Sequence, residues 1–325
     1  MGCIAMTMSA FPKMWVTLLF IWSYWVIVFK ILRPFPIGKF TTIILFIITT
    51  FELVLSLYTY YLVVHIGPGS PLDHLELVVP NYDEANIGTE MDISPPSILT
   101  LNSVMVKNNG GYRFCQKCKV WKPDRSHHCS SCGKCILRMD HHCPWFGECI
   151  GWSNHRYFMQ FLFHSNLYLI VISLISVFTL LTFFGGGNGI GDGNGNGKGD
   201  ASLDLFSLHI IFVGILGVIF ALCVSVLGGL TMWQLFKNKT TIEAFEDQRY
   251  KHSGRLNVFD IGKRSNWSSV MGFNWKEWIF PITVTDLQIG KGLFYQTNDP
   301  QEQHFTSFSQ RVSREIERRR GQIPV

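Results

Sequence analysis

The chain has 325 residues, 47% of them hydrophobic and only 16% charged, with a formal net charge of +5. Soluble domains carry roughly 25% charged residues, and here the apolar residues are bunched into runs, which argues against one soluble domain and for a polytopic membrane protein. The positive balance suits a face turned toward anionic headgroups or a phosphorylated cofactor.

Met1-Gly2-Cys3 opens like an acylated terminus, but Met6 stands where myristoylation wants Ser or Thr; Cys3 stays open to acylation. A hydrocarbon core takes about 20 helical residues to cross, and four stretches qualify: 14–32, 40–66, 158–184 and 205–236. The first is followed by Arg33-Pro34-Phe35-Pro36 rather than a small-residue cleavage site, so it is expected to remain as an anchor. Its Trp15, Trp22, Ser23, Tyr24 and Trp25 suit interfacial anchoring. The loop 33–39 is short enough to make spans one and two an antiparallel hairpin. Glu52 lies near the middle of span two. An acid there is expected to face the bundle interior in a structural role, although the sequence identifies no partner for it. Gly67-Pro68-Gly69-Ser70-Pro71 stops the helix, and 72–111 reads as a linker with little regular structure.

The segment from Cys115 to Cys149 holds seven of the nine cysteines, with His127, His128, His141 and His142. Two tetrahedral zinc ions need eight Cys or His ligands, and Cys-x2-Cys steps let one turn present two thiolates to one metal. Six cysteines and two histidines fill those places and leave one cysteine over. A zinc-bound thiolate has its lone pairs committed to the metal, so a nucleophile must be a cysteine outside the shell. Asp140-His141-His142-Cys143 offers one. One histidine can turn to zinc while its neighbour faces the Cys143 thiol, and Asp140 can fix that imidazole's tautomer as in a catalytic triad. A structural finger with Cys143 unused is the competing reading; its tight placement between two membrane hairpins favours chemistry. His127 and His155 are spare and read as surface or supporting groups.

Asn154, His155, Arg156 and Tyr157 lead into span three with no slack. Residues 185–200 form a Gly/Asn-rich loop with no expected function. Gly214, Gly217, Gly228 and Gly229 in span four suit close helix packing. Thr240-Thr241-Ile242-Glu243 reads as a helix-capping box. Asn257, Asn266-Trp267 and Val270-Met271-Gly272 suggest a small packed tail element. Phe305, Phe308, Val312 and Ile316 recur at helical spacing beside a basic run. Of the Lys and Arg residues, nine lie in 67–157 and fourteen in 237–325, against Lys198 alone in 185–204. The positive-inside rule then puts the cysteine-rich segment, the tail and the N-terminus in the cytosol, where thiols stay reduced and favour metal over disulfides. Lys30, Arg33 and Lys39 pull mildly the other way. The sequons at Asn238 and Asn266 would then stay unglycosylated.

The segment 115–158, ending in Asn154-x3-Phe158, resembles the cysteine-rich domain of the Asp-His-His-Cys protein S-acyltransferases, the palmitoyltransferases. Four spans with the motif between the second and third match as well, as do Thr240-Thr241-Ile242-Glu243 and the element around Asn266. Gly67-Pro68-Gly69-Ser70-Pro71-Leu72-Asp73 and Pro144-Trp145-Phe146 most resemble the fungal vacuolar members. Gly67 and Glu148 depart from the common Asp and Asn, at positions that supply neither a ligand nor the nucleophile.

The resemblance implies an all-α polytopic membrane protein of four transmembrane helices, with a cytosolic, zinc-stabilised cysteine-rich domain between helices two and three. Its parts would be 1–66 (N-terminus and first hairpin), 67–157 (linker and zinc domain), 158–236 (second hairpin) and 237–325 (tail). One zinc would take Cys115, Cys118, His128 and Cys135, the other Cys129, Cys132, His142 and Cys149. Cys143 would be the nucleophile, His141 the base and Asp140 its orienter. Ser23 and Tyr168 would close the end of an acyl cavity sized for about sixteen carbons. The implied reaction moves palmitoyl from palmitoyl-CoA to Cys143 and then to cysteines of membrane-associated proteins, on the cytosolic face of an endomembrane such as the vacuolar membrane. Fatty acyl-CoA, protein substrates and membrane lipid are the expected partners, and nucleic acid is not. A membrane-anchored zinc module that catalyses nothing is the alternative. A zinc hydrolase would need an open metal position, which eight sulfur and nitrogen ligands on two ions do not leave.

Overall fold

The computed structural model describes residues 3–33, 38–79, 95–100, 103–105, 111–185, 205–249, 257–282 and 292–298. The N-terminal dipeptide, the Gly/Asn-rich run and the helical spacing beyond residue 300 lie outside them. Among the described residues four helices are long and apolar enough to cross a membrane. In chain order come α1 (Cys3–Trp25), prolonged as a π-helix over Val26–Leu32; α2 (Lys39–Ile66); a single turn, α3 (Ser97–Thr100); α4 (His155–Gly185); and α5 (Leu205–Phe236). The last matches its predicted span, and α4 begins three residues before the predicted 158.

Hydroxyls inside these helices are satisfied locally, as an apolar surrounding demands. Thr49, Ser56, Thr59, Ser173, Ser176 and Thr179 each donate to the carbonyl four residues earlier. The central helix is α4, which packs along both α2 and α5. A Cβ on Gly217 would come within 2.5 Å of Ser173 Oγ and one on Gly214 within 3.3 Å of Ser176 Cβ, so these two glycines do set the α4–α5 approach. Gly229 has open space beside it and does not.

Glu52 does have a partner. Its Oε2 lies 2.9 Å from His164 Nδ1 in the α2–α4 contact, while His164 Nε2 donates to the Ile279 carbonyl at 2.9 Å. Because that carbonyl can only accept, Nε2 carries a hydrogen, and one proton shared between Nδ1 and the carboxyl keeps the pair neutral overall. A net-neutral pair is how an acid persists in a spanning helix.

The cysteine-rich segment sits between α2 and α4 and adds a feature that an all-α reading lacks: three two-stranded antiparallel hairpins. These are β1 (Phe114–Cys115) with β2 (Val120–Trp121), β3 (His127–Cys129) with β4 (Lys134–Ile136), and β5 (His141–Cys143) with β6 (Glu148–Ile150). Strands this short cannot stand alone; the sulfur and imidazole clusters described below hold them. The turn after α2 docks on them, with Leu137 N donating to Gly69 O and Ser70 Oγ to Cys135 O. The linker is more ordered than expected where it is described: Asp124 accepts from the Ser103 hydroxyl and from the Val104 and Met105 amides.

Beyond α5 the tail forms α6 (Thr241–Arg249), α7 (Lys263–Met271) and α8 (Trp275–Ile279). Val270 and Met271 pack with Met159 and Leu235, and Asn266 donates to the Phe236 carbonyl at 2.9 Å, which fixes α7 under the end of α5. Further on, Leu293 and Phe294 pack against Leu137 and Trp152 of the cysteine-rich domain.

Candidate active site

The three hairpins follow one plan. Each turns at a left-handed residue in the same place: Lys119 (φ 53°), Gly133 (φ 66°) and Gly147 (φ 57°). Register is shared too. His128 faces Cys135 as His142 faces Cys149, and Cys129 faces Lys134 as Cys143 faces Glu148. Side chains alternate faces along a strand, so in the second and third hairpins the paired His and last Cys look one way and the intervening Cys the other.

This geometry builds two four-donor clusters by passing ligands forward. Cys115 and Cys118 of the first hairpin meet His128 and Cys135 of the second; Cys129 and Cys132 of the second meet His142 and Cys149 of the third. His128 Nδ1 lies 3.6, 3.2 and 3.9 Å from the sulfurs of Cys115, Cys118 and Cys135. His142 Nδ1 lies 3.7, 3.4 and 3.6 Å from those of Cys129, Cys132 and Cys149. Zn–S bonds of about 2.3 Å and Zn–N bonds of about 2.0 Å in a tetrahedron separate neighbouring donors by about 3.5–3.8 Å, so both clusters fit such an ion.

The third hairpin has no successor to which it could pass ligands, and Phe146 stands where the second has Cys132. Cys143 therefore belongs to neither cluster. It is buried in one apolar cluster with Tyr60, Val63, Phe146, Ile150, Phe158 and Leu162, against which Val16 and Val224 pack, so all four long helices contribute to that cluster.

His141 Nδ1–H donates to Asp140 Oδ2 at 2.6 Å. The carboxylate also accepts from the Thr241 amide and hydroxyl, each at 2.9 Å. Burial alone would raise Asp140; the His141 hydrogen bond, the histidine charges and the Thr241 amide outweigh it and hold the carboxyl well below the usual range. Burial likewise works against charge on His141, but Asp140 and the neighbouring Cys143 sulfur win and lift it to about 9. A carboxylate that only accepts fixes the hydrogen on Nδ1 and leaves Nε2 to exchange protons.

Sequence reasoning missed the groups that hold Asp140. Thr240 and Glu243 do form the capping box, with Thr240 N to Glu243 Oε2 at 2.9 Å and Glu243 N to Thr240 Oγ1 at 3.2 Å. The same Glu243 receives a two-pronged bond from the fully buried Arg125, at 2.7 and 2.8 Å. Asn238 joins that network by accepting from Arg125 at 2.9 Å and Arg138 at 3.1 Å. His155, read as a surface or supporting group, is buried with Nδ1 3.1 Å from Arg138. Tyr60 donates to the Trp145 carbonyl at 2.7 Å and stacks on Phe146, pinning the turn after Cys143 to α2. Asn154 donates to the carbonyls of Val63 and Cys149, tying both ends of the domain to the bundle.

Ser23 Oγ and Tyr168 OH meet at 2.8 Å between α1 and α4. Tyr168 is six residues beyond Leu162, about 9 Å further along α4. Past it the bundle is filled by Val26, Ile27, Ile172, Ile210 and Val213.

The profile of the DHHC palmitoyltransferase family matches residues 108–248. The chain is 34% identical over 287 residues to Palmitoyltransferase PFA3 of Saccharomyces cerevisiae, covering 84% of this chain and 79% of that one. Identity to Palmitoyltransferase PFA3 of Candida albicans is 38% over 306 residues, covering 85% and 78%. To Palmitoyltransferase ZDHHC20 of Homo sapiens it is 28% over 311 residues, covering 91% and 80%.

Proposed function

The chain belongs to the DHHC palmitoyltransferase family, and from that premise we propose how its own residues carry out protein S-palmitoylation. Cys143 is the nucleophile. Its thiolate attacks the carbonyl carbon of palmitoyl-CoA; the new C–S bond forms as the bond to CoA sulfur breaks, and the imidazolium of His141 gives its Nε2 proton to the departing thiolate. In the second step His141 takes the proton of a substrate cysteine, whose sulfur displaces Cys143 and receives the acyl group. Asp140 keeps His141 in the required tautomer and steadies its charge throughout. Thioester is exchanged for thioester, so positioning does most of the work.

The observation that carries this reading is that Cys143 stands outside both four-donor clusters, next to the His141–Asp140 pair and among the helix ends. Zinc, held by Cys115, Cys118, His128 and Cys135 and by Cys129, Cys132, His142 and Cys149, supplies cross-links that hold the hairpins in register. The membrane setting has its own reason. Moving an acyl chain out of water gains about 0.8 kcal/mol per CH₂, so the chain is received between the helices, with Ser23 and Tyr168 closing the far end. The Lys and Arg distribution supports a cytosolic active site that faces membrane-associated protein substrates. The likeness to fungal members supports the vacuolar membrane as its home.

Incubation of the purified full chain with an alkyne-tagged palmitoyl-CoA tests the proposal. Hydroxylamine-sensitive label is expected at Cys143 and to pass to an added substrate cysteine. Label at another cysteine, with none at Cys143, would falsify the assignment.

A further inference from the structure

Arg156, Gln160 and His164 stand four residues apart on α4 and share one face. All three are buried, and all three aim their donors at one stretch of tail backbone. Arg156 donates to the carbonyls of Glu277, Phe280 and Ile282. Gln160 donates to Glu277 at 2.8 Å and Phe280 at 2.9 Å, and His164 to Ile279 at 2.9 Å. The opposite face of α4 carries Phe158 and Leu162, which share an apolar cluster with Cys143. The tail and the reactive thiol thus flank one helix at one level.

The 31 residues of α4 span about 46 Å, some 16 Å more than a hydrocarbon core of about 30 Å. With the excess shared between both ends, the core begins about 8 Å in, near Gln160, and His164 lies roughly 6 Å inside it. The carbonyls of Glu277, Ile279 and Phe280 therefore lie where headgroups give way to acyl chains. The last carbonyls of a helix have no partner within it and are tolerated at that depth only if paired from elsewhere; the three α4 donors provide the pairing at the end of α8.

The outer side of this segment is apolar. Phe273 (72% exposed), Trp275 (55%), Trp278 and Ile282 all present apolar surface away from the protein, as Phe163 on α4 does. Lys276 lies among them, over the Trp275 ring at 5.9 Å. Aromatic rings with a lysine between them suit the membrane–water boundary, where rings take the interface and the ammonium reaches to water. We infer that residues 273–282 form an interfacial membrane anchor: Phe273, Trp275, Trp278 and Ile282 insert into the leaflet at the N-terminal end of α4, clamped from behind by Arg156, Gln160 and His164. The inference takes from the proposed function only that the long helices span a bilayer.

Photo-cross-linking of the full chain tests it. p-Benzoylphenylalanine replaces Trp275 or Trp278, with Phe212 on the exposed face of α5 as the spanning control and Lys117 on the first hairpin as the aqueous control. The protein is placed in phosphatidylcholine vesicles whose acyl chains carry an alkyne. Lipid adducts at 275 and 278 should match those at 212 and exceed those at 117 by about tenfold. Adducts at 212 without adducts at 275 and 278 overturn the anchor but leave the spans intact. Cross-linking of 275 or 278 to a second copy of the chain also overturns it, in favour of a protein contact. Loss of label at 212 as well overturns the spanning of α5 and the anchor with it.

Discussion

The second and third hairpins are nearly the same object put to two uses. His127-His128-Cys129 and His141-His142-Cys143 pair with Lys134-Cys135-Ile136 and Glu148-Cys149-Ile150 in identical register. Of the five positions at which 126–136 and 140–150 differ, two bear on the chemistry. Phe146 replaces Cys132, so Cys143 has no second thiolate beside it to complete a metal pair. Asp140 replaces Ser126 and puts a carboxylate on the imidazole that follows it. Burial and the Arg113 charge bring His127 down to about 4, whereas the Asp140 hydrogen bond overcomes burial and brings His141 up to about 9. A metal knuckle becomes a thiol–imidazole pair by losing one sulfur and gaining one carboxylate.

Removing one cluster sulfur is the most damaging change expected. Structural zinc contributes apparent binding energies of about 10–16 kcal/mol to small domains. Cys132→Ser should therefore lose one ion and the fold of the third hairpin, which circular dichroism and metal analysis would register together. Asp140→Ser makes the third hairpin resemble the second. Acyl transfer is expected to fall by about 10²–10⁴ with both metals retained, in single-turnover assays with acyl-CoA; unchanged rates would refute the role given to Asp140.

Glu243→Gln strikes the support behind Asp140. Leaving buried Arg125 without its anion should cost about 3–5 kcal/mol, measured as a lower Tm in detergent. Burial works to raise Glu243, but the Arg125 charge and hydrogen bonds prevail and hold it below 4.5. An acid depressed on folding lends stability above its unfolded value, which is lost as pH falls through the folded one. The wild type should therefore lose more Tm below pH 4.5 than the Gln variant does. The smallest effect concerns chain length. Ser23→Phe fills space beside Tyr168 and should shift preference toward shorter acyl-CoAs, by about fourfold for each CH₂ excluded at about 0.8 kcal/mol, in competition assays between chain lengths.

The spans, the count of eight donors with one cysteine over and the Asp140-His141-Cys143 set were legible because each depends on neighbours in sequence: apolar runs, Cys-x2-Cys steps and adjacent side chains; the division of the donors into two interleaved groups came from the family resemblance. What was not legible depends on distant partners. Arg125 meets Glu243 across 118 residues, and Glu52 meets His164 across 112. His164 carried a usable signal all the same, since a histidine within a spanning helix beside an unexplained acid calls for pairing. Arg125 and Arg138 carried none: an arginine in a polar, cysteine-rich run reads as a surface charge until the tail is seen to cover it. The hairpins went unseen because strands of two or three residues leave no alternating pattern to read.

Zinc content measured beside acyl labelling tests most directly the claim that one sulfur is kept from the metals. Two clusters of four donors predict that the Cys143→Ser variant, purified like the wild type, binds as much zinc as the wild type and takes no label from palmitoyl-CoA. Loss of zinc from that variant, or label persisting in it, would contradict the account.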